Sequence, residues 1–175
     1  SSDVCSSDLT GRLDADSEGL LVLTSHGPLQ ARLSQPRWAH WRTYHVQVEG
    51  EAQEPQLAQL RQGVTIQNQQ TRAARVRRLH EVSWEPRVPP IRSRLSIPTS
   101  WLELSLREGR NRQIRRMTAA VGLPTVRLIR VSMDLNDGGP PLGLSGLNPG
   151  DWRPVDAEEQ RRLERLLRQP RTAIN

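Results

Sequence analysis

The segment GRLDADSEGLLVLT, residues 11–24, holds four charged side chains whose types and spacing could support catalysis. Arg12, Asp14, Asp16 and Glu18 stand directly before an apolar run. A carboxylate at the edge of a buried strand can act as a nucleophile or a general base, because the sheet fixes its surroundings. The same pattern also fits a charged turn in which Asp16 or Ser17 caps the backbone. From this segment alone, the charged turn is the more common structure.

A second segment, EGRNRQIRRM at residues 108–117, joins a glycine turn to a strongly basic helix. Arg112, Arg115 and Arg116 occupy positions i, i+3 and i+4, which share one face of a helix. Cations at the start of a helix oppose the helix dipole, so we expect an anionic partner for them. A phosphate backbone or a catalytic carboxylate would provide that partner.

The distribution of charge favours a polyanionic partner. All 25 basic residues are arginine, and the formal net charge is +6. Residues 72–130 hold 14 arginines against four glutamates, a net charge of +10, whereas the rest of the chain carries −4. Arginine offers a planar fork that binds phosphate and stacks on bases, so a nucleic acid is the favoured partner. A solvated arginine-rich surface is the alternative.

Composition excludes several protein classes. The 175 residues suit one ordinary domain. No stretch approaches the roughly 18 apolar residues of a membrane span. A single cysteine excludes a disulfide scaffold. The four histidines lack the spacing of metal ligands, and the sequence holds no glycine-rich phosphate loop and no GxSxG motif. We therefore expect a soluble protein of the cytoplasm, with no metal site and no membrane partner.

The two charged segments must be positioned by regular secondary structure. The pattern of predicted strands and helices indicates an α+β fold, with a mixed, largely antiparallel sheet and a few covering helices. Hydrophobic periodicity and turn signals predict strands at 19–24, 43–49, 64–66, 72–79, 101–106 and 125–131, and helices at 28–35, 54–62, 111–121 and from residue 156 onward. The run GLLVLT reads as a continuous buried strand. Asp156 and Glu159 predict a capping box at the start of the last helix.

Three units are expected along the chain. Residues 1–9, SSDVCSSDL, are small, polar and without periodicity, which predicts a disordered or non-native leader. Residues 10–155 form the expected catalytic domain. Residues 156–175 form a C-terminal helix and tail.

Together, the motifs resemble pseudouridine synthases of the RsuA type. GRLDADSEGLLVLT is similar to the aspartate motif of that family, and EGRNRQIRRM followed by VGLPTVRLIRVSM is similar to its distal motif. Tyr44 in RTYHV lies where the family has a K/R-x-Y strand. The match runs from about residue 11 to 152, and three motifs in the right order make it specific. The stretch 89–117 most resembles the branch that acts on the large ribosomal subunit.

The resemblance implies an isomerase that converts a specific uridine of large-subunit (23S) ribosomal RNA to pseudouridine, without a cofactor or a metal. It implies that Asp14 is the catalytic aspartate and that Arg12 stabilises the flipped-out nucleotide. Tyr44 would stack on the target base, Arg115 would pair with the catalytic aspartate, and Leu128 would lie beneath the base. The remaining expected substrate-binding residues are Arg112, Arg116 and Arg130.

Two further expectations follow from the resemblance. Family members carry a segment with a Lys-Pro-type opening strand before the aspartate motif, which this sequence lacks, so we expect an N-terminally truncated synthase that acts as a monomer. The alternative is a non-catalytic RNA-binding fragment of such an enzyme, in which Asp14 would be dispensable. A glycoside hydrolase with a carboxylate pair fits less well, because a basic surface does not help to bind a neutral sugar.

Overall fold

A mixed sheet with helices packed against it organises the computed structural model, which describes residues 8–9, 13–91 and 96–169. In chain order the strands are β1 (Asp8–Leu9), β2 (Glu18–Gly19), β3 (Leu23–Thr24), β4 (Arg42–Glu49), β5 (Thr65–Ile66), β6 (Gln69–Gln70), β7 (Arg75–Leu79), β8 (Thr99–Leu106), β9 (Thr125–Met133) and β10 (Leu142–Gly143). The helices are α1 (Gly27–Ser34), α2 (Glu54–Gln62), α3 (Gln113–Ala120) and α4 (Ala157–Arg168), with a short 3₁₀ turn at Pro36–Trp38. Within the described residues, no helix is long and apolar enough to cross a lipid bilayer.

Six of the described strands form the central sheet. Five of them lie side by side in the order β10-β9-β4-β8-β7 and pair antiparallel, while β2 joins β9 in parallel. Two short ribbons, β1 with β3 and β5 with β6, lie outside this sheet. The predicted α+β class, with a mixed and largely antiparallel sheet, is confirmed.

Alternation of side chains along β4 and β8 explains why these two long strands form the middle of the sheet. Val46 and Val48 of β4 are fully buried, and so are Leu102 and Leu104 of β8. Val46 lies directly opposite Leu102 in the register, so the apolar side chains share one face. Helices α2 and α3 cover that face.

Two hydrophobic clusters divide the helix-bearing face. The larger cluster joins β4, β7, β8, α2 and α3, and the smaller one joins α1, α4 and the end of β9. Leu163 and Leu166 place α4 in the smaller cluster beside Leu33 of α1. The predicted capping box of Asp156 and Glu159 begins α4. The C-terminal helix therefore shares a core with the elements before it.

The apolar run at 19–24 does not form the continuous buried strand that the sequence predicts. It is divided between β2 and β3, and Leu21 and Leu23 are 47% and 54% exposed. The main chain turns at Gly19, which has a φ of +106°. Leu20 is buried in the smaller cluster, so only some side chains of the run face the core.

Smaller differences concern boundaries. Asp8 and Leu9, assigned to the leader from sequence, pair with β3, and residues 1–7 lie outside the described residues. The strand predicted at 72–79 begins at Arg75, and the helix predicted at 111–121 begins at Gln113. The glycine-rich segment 136–150 contains β10, since Leu142 turns into the core opposite Met133.

Candidate active site

Asp14 lies in a tight turn that leads into β2. The Ser17 amide donates a hydrogen bond to the Asp14 carbonyl oxygen at 2.9 Å, which closes this turn. The Asp14 side chain is 31% exposed, and its Oδ2 lies 3.5 Å from Nη1 of Arg112. The segment is therefore a charged turn, as its residues alone suggest, and it also presents a carboxylate to the basic helix.

Asp16 makes closer contacts with that helix than Asp14 does. Both terminal nitrogens of Arg112 donate to the Asp16 carboxylate, at 3.2 and 3.3 Å. Arg115 Nη2 lies 3.2 Å from Asp16 Oδ2 and also donates to the Asp16 carbonyl at 3.2 Å. The hydrogen bonds from Arg112, aided by the charge of Arg115, lower the pKa of Asp16 below its usual 3.8. The carboxylates of the turn thus compensate the cations at the start of α3.

This arrangement differs from the expected pairing of Arg115 with Asp14. In the structure Arg115 pairs with Asp16, and Arg112 is the arginine that contacts Asp14. The bond from Arg115 to the Asp16 carbonyl explains the difference, because it fixes this guanidinium at the Asp16 end of the turn. Arg112 is 42% exposed and reaches both carboxylates.

A buried polar network holds the start of α3 in place. Glu108 Oε1 accepts hydrogen bonds from the Arg72 amide and from Gln113 Nε2, each at 2.7 Å. The Arg110 amide donates to Gln113 Oε1 at 2.9 Å. Glu108 and Gln113 are both buried, so the network is shielded from water. It fixes the loop in which Arg112 adopts a left-handed backbone, with a φ of 50°.

Sequence reasoning gave Glu108 and Gln113 no role. The available signal was their position, since each is a polar residue beside a glycine turn in a segment otherwise full of arginine. A single carboxylate among many arginines is expected to accept hydrogen bonds within the protein rather than to remain exposed to solvent.

The middle of the sheet supplies an apolar surface beside a buried cation, Arg130. Tyr44 of β4 is partly buried and lies opposite Arg130 of β9, and Leu128 is buried opposite Val46. Arg130 is 2% exposed, and its Nε donates to the Leu20 carbonyl at 2.8 Å. Among the described residues, its Nη2 atom has no hydrogen-bond partner.

Strand pairing brings this surface and the aspartate turn into one region. Arg130 is the register partner of Tyr44 on one side and of Gly19 on the other. A Cβ on Gly19 would lie 2.2 Å from the Arg130 carbonyl oxygen, so only glycine allows β2 this close to β9. The turn that begins at Asp14 is therefore held between β9 and α3.

Arg42 is a buried cation that sequence reasoning left without a role. It is 8% exposed, it shares a face of β4 with Tyr44, and its Nη2 donates to the Leu33 carbonyl at 2.8 Å. Burial lowers the pKa of Arg42, and the nearby charge of Arg130 lowers it further. A basic residue two positions before Tyr44 was the signal that could have indicated it.

The other expected site residues are placed as follows. Arg116 is partly exposed, donates to Asn111 Oδ1 at 3.1 Å and forms no ion pair within the described residues. Arg12 lies outside the described residues. Glu18 of the aspartate motif pairs with Arg127 of β9 through two hydrogen bonds of 2.9 and 2.8 Å. That bidentate pair anchors β2 to the sheet.

Comparison with known proteins gives consistent matches. A model of the RNA pseudouridylate synthase family matches residues 4–120. Ribosomal large subunit pseudouridine synthase E of Xanthomonas campestris pv. campestris is 51% identical over 153 residues, which are 86% of this chain and 78% of that protein. The synthase E of Vibrio vulnificus is 50% identical over 145 residues, 83% of this chain and 59% of that protein. Ribosomal large subunit pseudouridine synthase B of Bacillus subtilis is 33% identical over 89% of this chain and 57% of its own length.

Solved structures agree with the sequence matches. A crystal structure of pseudouridylate synthase superimposes with a TM-score of 0.69 at 27% identity, over 90% of this chain and 59% of that chain. Human RNA Pseudouridylate Synthase Domain Containing 1 superimposes with a TM-score of 0.54 at 14% identity, which shows a shared fold.

Proposed function

Because this chain belongs to the RNA pseudouridylate synthase family, we propose that it isomerises a uridine of large-subunit ribosomal RNA to pseudouridine, with Asp14 as the catalytic carboxylate. Relatives that carry large-subunit synthase names support the substrate class. The chain spans 78% of the first of these proteins and less than two thirds of the other two. The proposal includes a monomer that acts in the cytoplasm, with residues 10–155 as the catalytic unit and 156–175 as a C-terminal helix and tail.

The observation that carries the proposal is that two neighbouring aspartates, Asp14 and Asp16, differ in their contacts with the arginines of α3. Asp16 receives two hydrogen bonds from Arg112 and an ion pair from Arg115. Within the described residues, Asp14 has one ion-pair contact, at 3.5 Å from Arg112, and it remains partly exposed. Both side chains are accessible, at 31% for Asp14 and 46% for Asp16, so the difference lies in their hydrogen bonds: the Asp16 carboxylate is held by Arg112 and Arg115, whereas the Asp14 carboxylate is positioned beside Arg112 without such bonds among the described residues.

The reaction is an isomerisation in which atoms and charge balance. The bond from uridine N1 to the sugar C1′ breaks, the base turns, and a bond from C5 to C1′ forms. C5 then loses its proton and N1 gains one, so nothing is added or removed overall. Asp14 would either attack C1′ or abstract a proton, and both roles use its carboxylate form.

The surrounding side chains fit the handling of a flipped base. Extruding a base from a duplex costs a few kcal/mol, which stacking and hydrogen bonding in the pocket partly offset. Tyr44 offers an aromatic face and Leu128 an apolar floor, while the buried Nη2 of Arg130 has no hydrogen-bond partner in the part of the chain that the structure describes. Arg112, Arg115 and Arg116 provide cations for the phosphates beside the target nucleotide. By resemblance, Arg12 stabilises the flipped nucleotide.

The test compares Asp14→Asn with the matched variant Asp16→Asn on unmodified, in vitro transcribed large-subunit ribosomal RNA. Release of tritium from C5-labelled uridine follows the reaction directly. We expect Asp14→Asn to form no product while its RNA affinity changes by less than about tenfold, since a negatively charged carboxylate does not bind backbone phosphates. Asp16→Asn should retain turnover.

Two results would count against the proposal. Turnover by Asp14→Asn at the wild-type rate would refute the assignment of the catalytic residue. RNA binding by the unmutated chain without any tritium release would favour the alternative, a non-catalytic RNA-binding function.

A further inference from the structure

The face of the sheet opposite the helices carries a basic and aromatic patch. Side chains of β7 and β8 that alternate with buried residues point to this face, among them Arg75, Arg77, Glu103 and Ser105, which line a shallow concavity. At one end of it lies the cluster Trp41, Arg75 and Arg107, which we call the back-face patch. Neither the hydrophobic core nor the site around Asp14 uses this cluster.

In the back-face patch, two guanidinium groups lie against one indole ring. The Arg75 guanidinium is 4.0 Å from the centroid of the Trp41 ring, and the Arg107 guanidinium is 4.8 Å from it. The ring attracts and orients both cations through its π face. The contact with Trp41 therefore restricts both arginine side chains, so that less conformational entropy is lost when they bind an anion.

These two arginines differ from others nearby in having no carboxylate partner among the described residues. Arg77, two positions from Arg75 on the same face, is neutralised by Glu103 through bonds of 2.8 and 3.0 Å. Arg127 is neutralised in the same way by Glu18. Two uncompensated cations fixed close together repel each other, and an external anion relieves that repulsion.

The back-face patch is continuous with the candidate active site along one basic strip. Arg107 directly follows the last residue of β8 and begins the loop that carries Arg110 and Arg112. The Arg72 amide bonds to Glu108 in this loop, and Arg110 Nη2 donates to the Gln70 carbonyl at 3.0 Å. The basic strip is therefore the run of arginines from Arg107 through Arg110 to Arg112; Arg110 also pairs with Glu108 at 3.6 Å, and Arg112 pairs with Asp14 and Asp16.

We propose that the back-face patch is a second RNA contact, which binds backbone phosphates of the substrate at a distance from the target uridine. This inference rests on the proposed function, because it assigns the anion to the RNA that enters the Asp14 site. Guanidinium groups bind phosphate through paired N–H donors, and stacking on Trp41 leaves those edges free. An acidic segment of a ribosomal protein would also be an anion, but the continuity with the basic strip favours RNA.

The test measures the affinity of the full chain for unmodified, in vitro transcribed large-subunit ribosomal RNA at several salt concentrations. The test variant is Arg75→Gln with Arg107→Gln. The control is Arg161→Gln with Arg165→Gln on α4, where both arginines are exposed and pair with Glu158. Each single-strand phosphate contact contributes a salt slope of about −0.7, which corresponds to about fivefold in Kd near 0.1 M salt.

We therefore expect the test variant to raise Kd about 25-fold and to reduce the salt slope by about 1.4. The control should stay within about twofold of the unmutated chain, because Glu158 already neutralises both arginines and they lie on α4, outside the back-face patch. If the glutamine pair fails to fold by circular dichroism, Arg75→Lys with Arg107→Lys keeps the charge and should retain most of the salt slope.

An unchanged Kd and salt slope in the test variant would overturn the inference. So would normal binding to naked RNA combined with lost binding to ribosomal particles, because that result identifies a protein contact. These measurements need no turnover. A chain that forms no pseudouridine would refute the proposed function, and the binding data would still decide the role of the patch.

Discussion

The ion pair between Asp137 and Arg162 fastens α4 to the loop before β10, and its contribution to stability can be worked out from its geometry. Arg162 is buried, with Nε and Nη2 at 2.6 and 2.7 Å from the two carboxylate oxygens of Asp137. Its Nη1 donates to the Pro140 carbonyl at 2.7 Å. Replacing Asp137 by asparagine removes the counter-charge and leaves the guanidinium buried.

The magnitude follows from the pKa of Asp137. The hydrogen bonds from Arg162 are the main reason that this pKa falls from 3.8 to about 2. At ~1.4 kcal/mol per pH unit, the difference corresponds to about 2 kcal/mol of folding free energy. Because the folded-state pKa lies below the unfolded one, this stabilisation is complete above about pH 5 and is lost as the pH falls through 3.8 towards 2.

Urea unfolding of the unmutated chain and of Asp137→Asn at pH 7 and pH 3 measures this contribution. At pH 7 the variant should be less stable by about 3 kcal/mol, since a buried charge also loses its partner. At pH 3 the gap should narrow by about 1 kcal/mol, because roughly half of the stabilisation is already lost. Glu158→Gln, which breaks exposed pairs, should change stability by less than about 0.5 kcal/mol. An equal gap at both pH values would refute the reasoning.

Two further predictions concern the sheet. Gly19→Ala should lower the free energy of unfolding in urea by about 2–4 kcal/mol, because the new Cβ would lie 2.2 Å from the Arg130 carbonyl oxygen at a residue with a left-handed backbone. The control Gly27→Ala has open space around its Cβ and should be nearly neutral. Equal effects of the two substitutions would contradict this prediction. Trp84 Nε1 donates to His45 Nδ1 at 2.9 Å, and burial lowers the pKa of His45 below 6.5. Because the folded-state pKa of His45 lies below the unfolded one, neutral His45 stabilises the fold above about pH 6.5, and this stabilisation is lost as the pH falls below 6.5. In the same unfolding assay, the unmutated chain should therefore lose more stability between pH 7 and pH 5 than His45→Gln does.

The two charged segments could be recognised from sequence because their information is local. Spacing of three residues brings Arg112 and Arg115 together at the start of α3; in the structure Arg112 is the N-cap residue and Arg115 lies in the first turn, and both face the aspartate turn. Which aspartate each arginine contacts is not local. It depends on where the aspartate turn lies relative to α3. The pairing of Gly19 in β2 with Arg130 in β9 helps to fix the position of the turn.

The apolar run at 19–24 shows a second limit of local information. A continuous run of leucine and valine predicts burial on both faces, but burial requires a neighbouring layer, which is a property of the whole fold. In the structure, Leu20 reaches the core while Leu21 and Leu23 remain exposed. The burial of Arg42 has the same limit: its place two positions before Tyr44 could indicate a role, but its burial depends on the Leu33 carbonyl, nine residues away in sequence.

The division of labour between Asp14 and Asp16 has a physical basis in the charge of α3. Arginines at the start of a helix raise the positive potential there, and without compensation they would draw in any available carboxylate. Asp16 satisfies them with two hydrogen bonds from Arg112 and an ion pair from Arg115. Asp14 then lies in the same positive field, 3.5 Å from Arg112 and with part of its surface open. A single aspartate could not both anchor the turn through ion pairs and keep its carboxylate available to substrate. With two aspartates, Asp16 anchors the turn and Asp14 stays available.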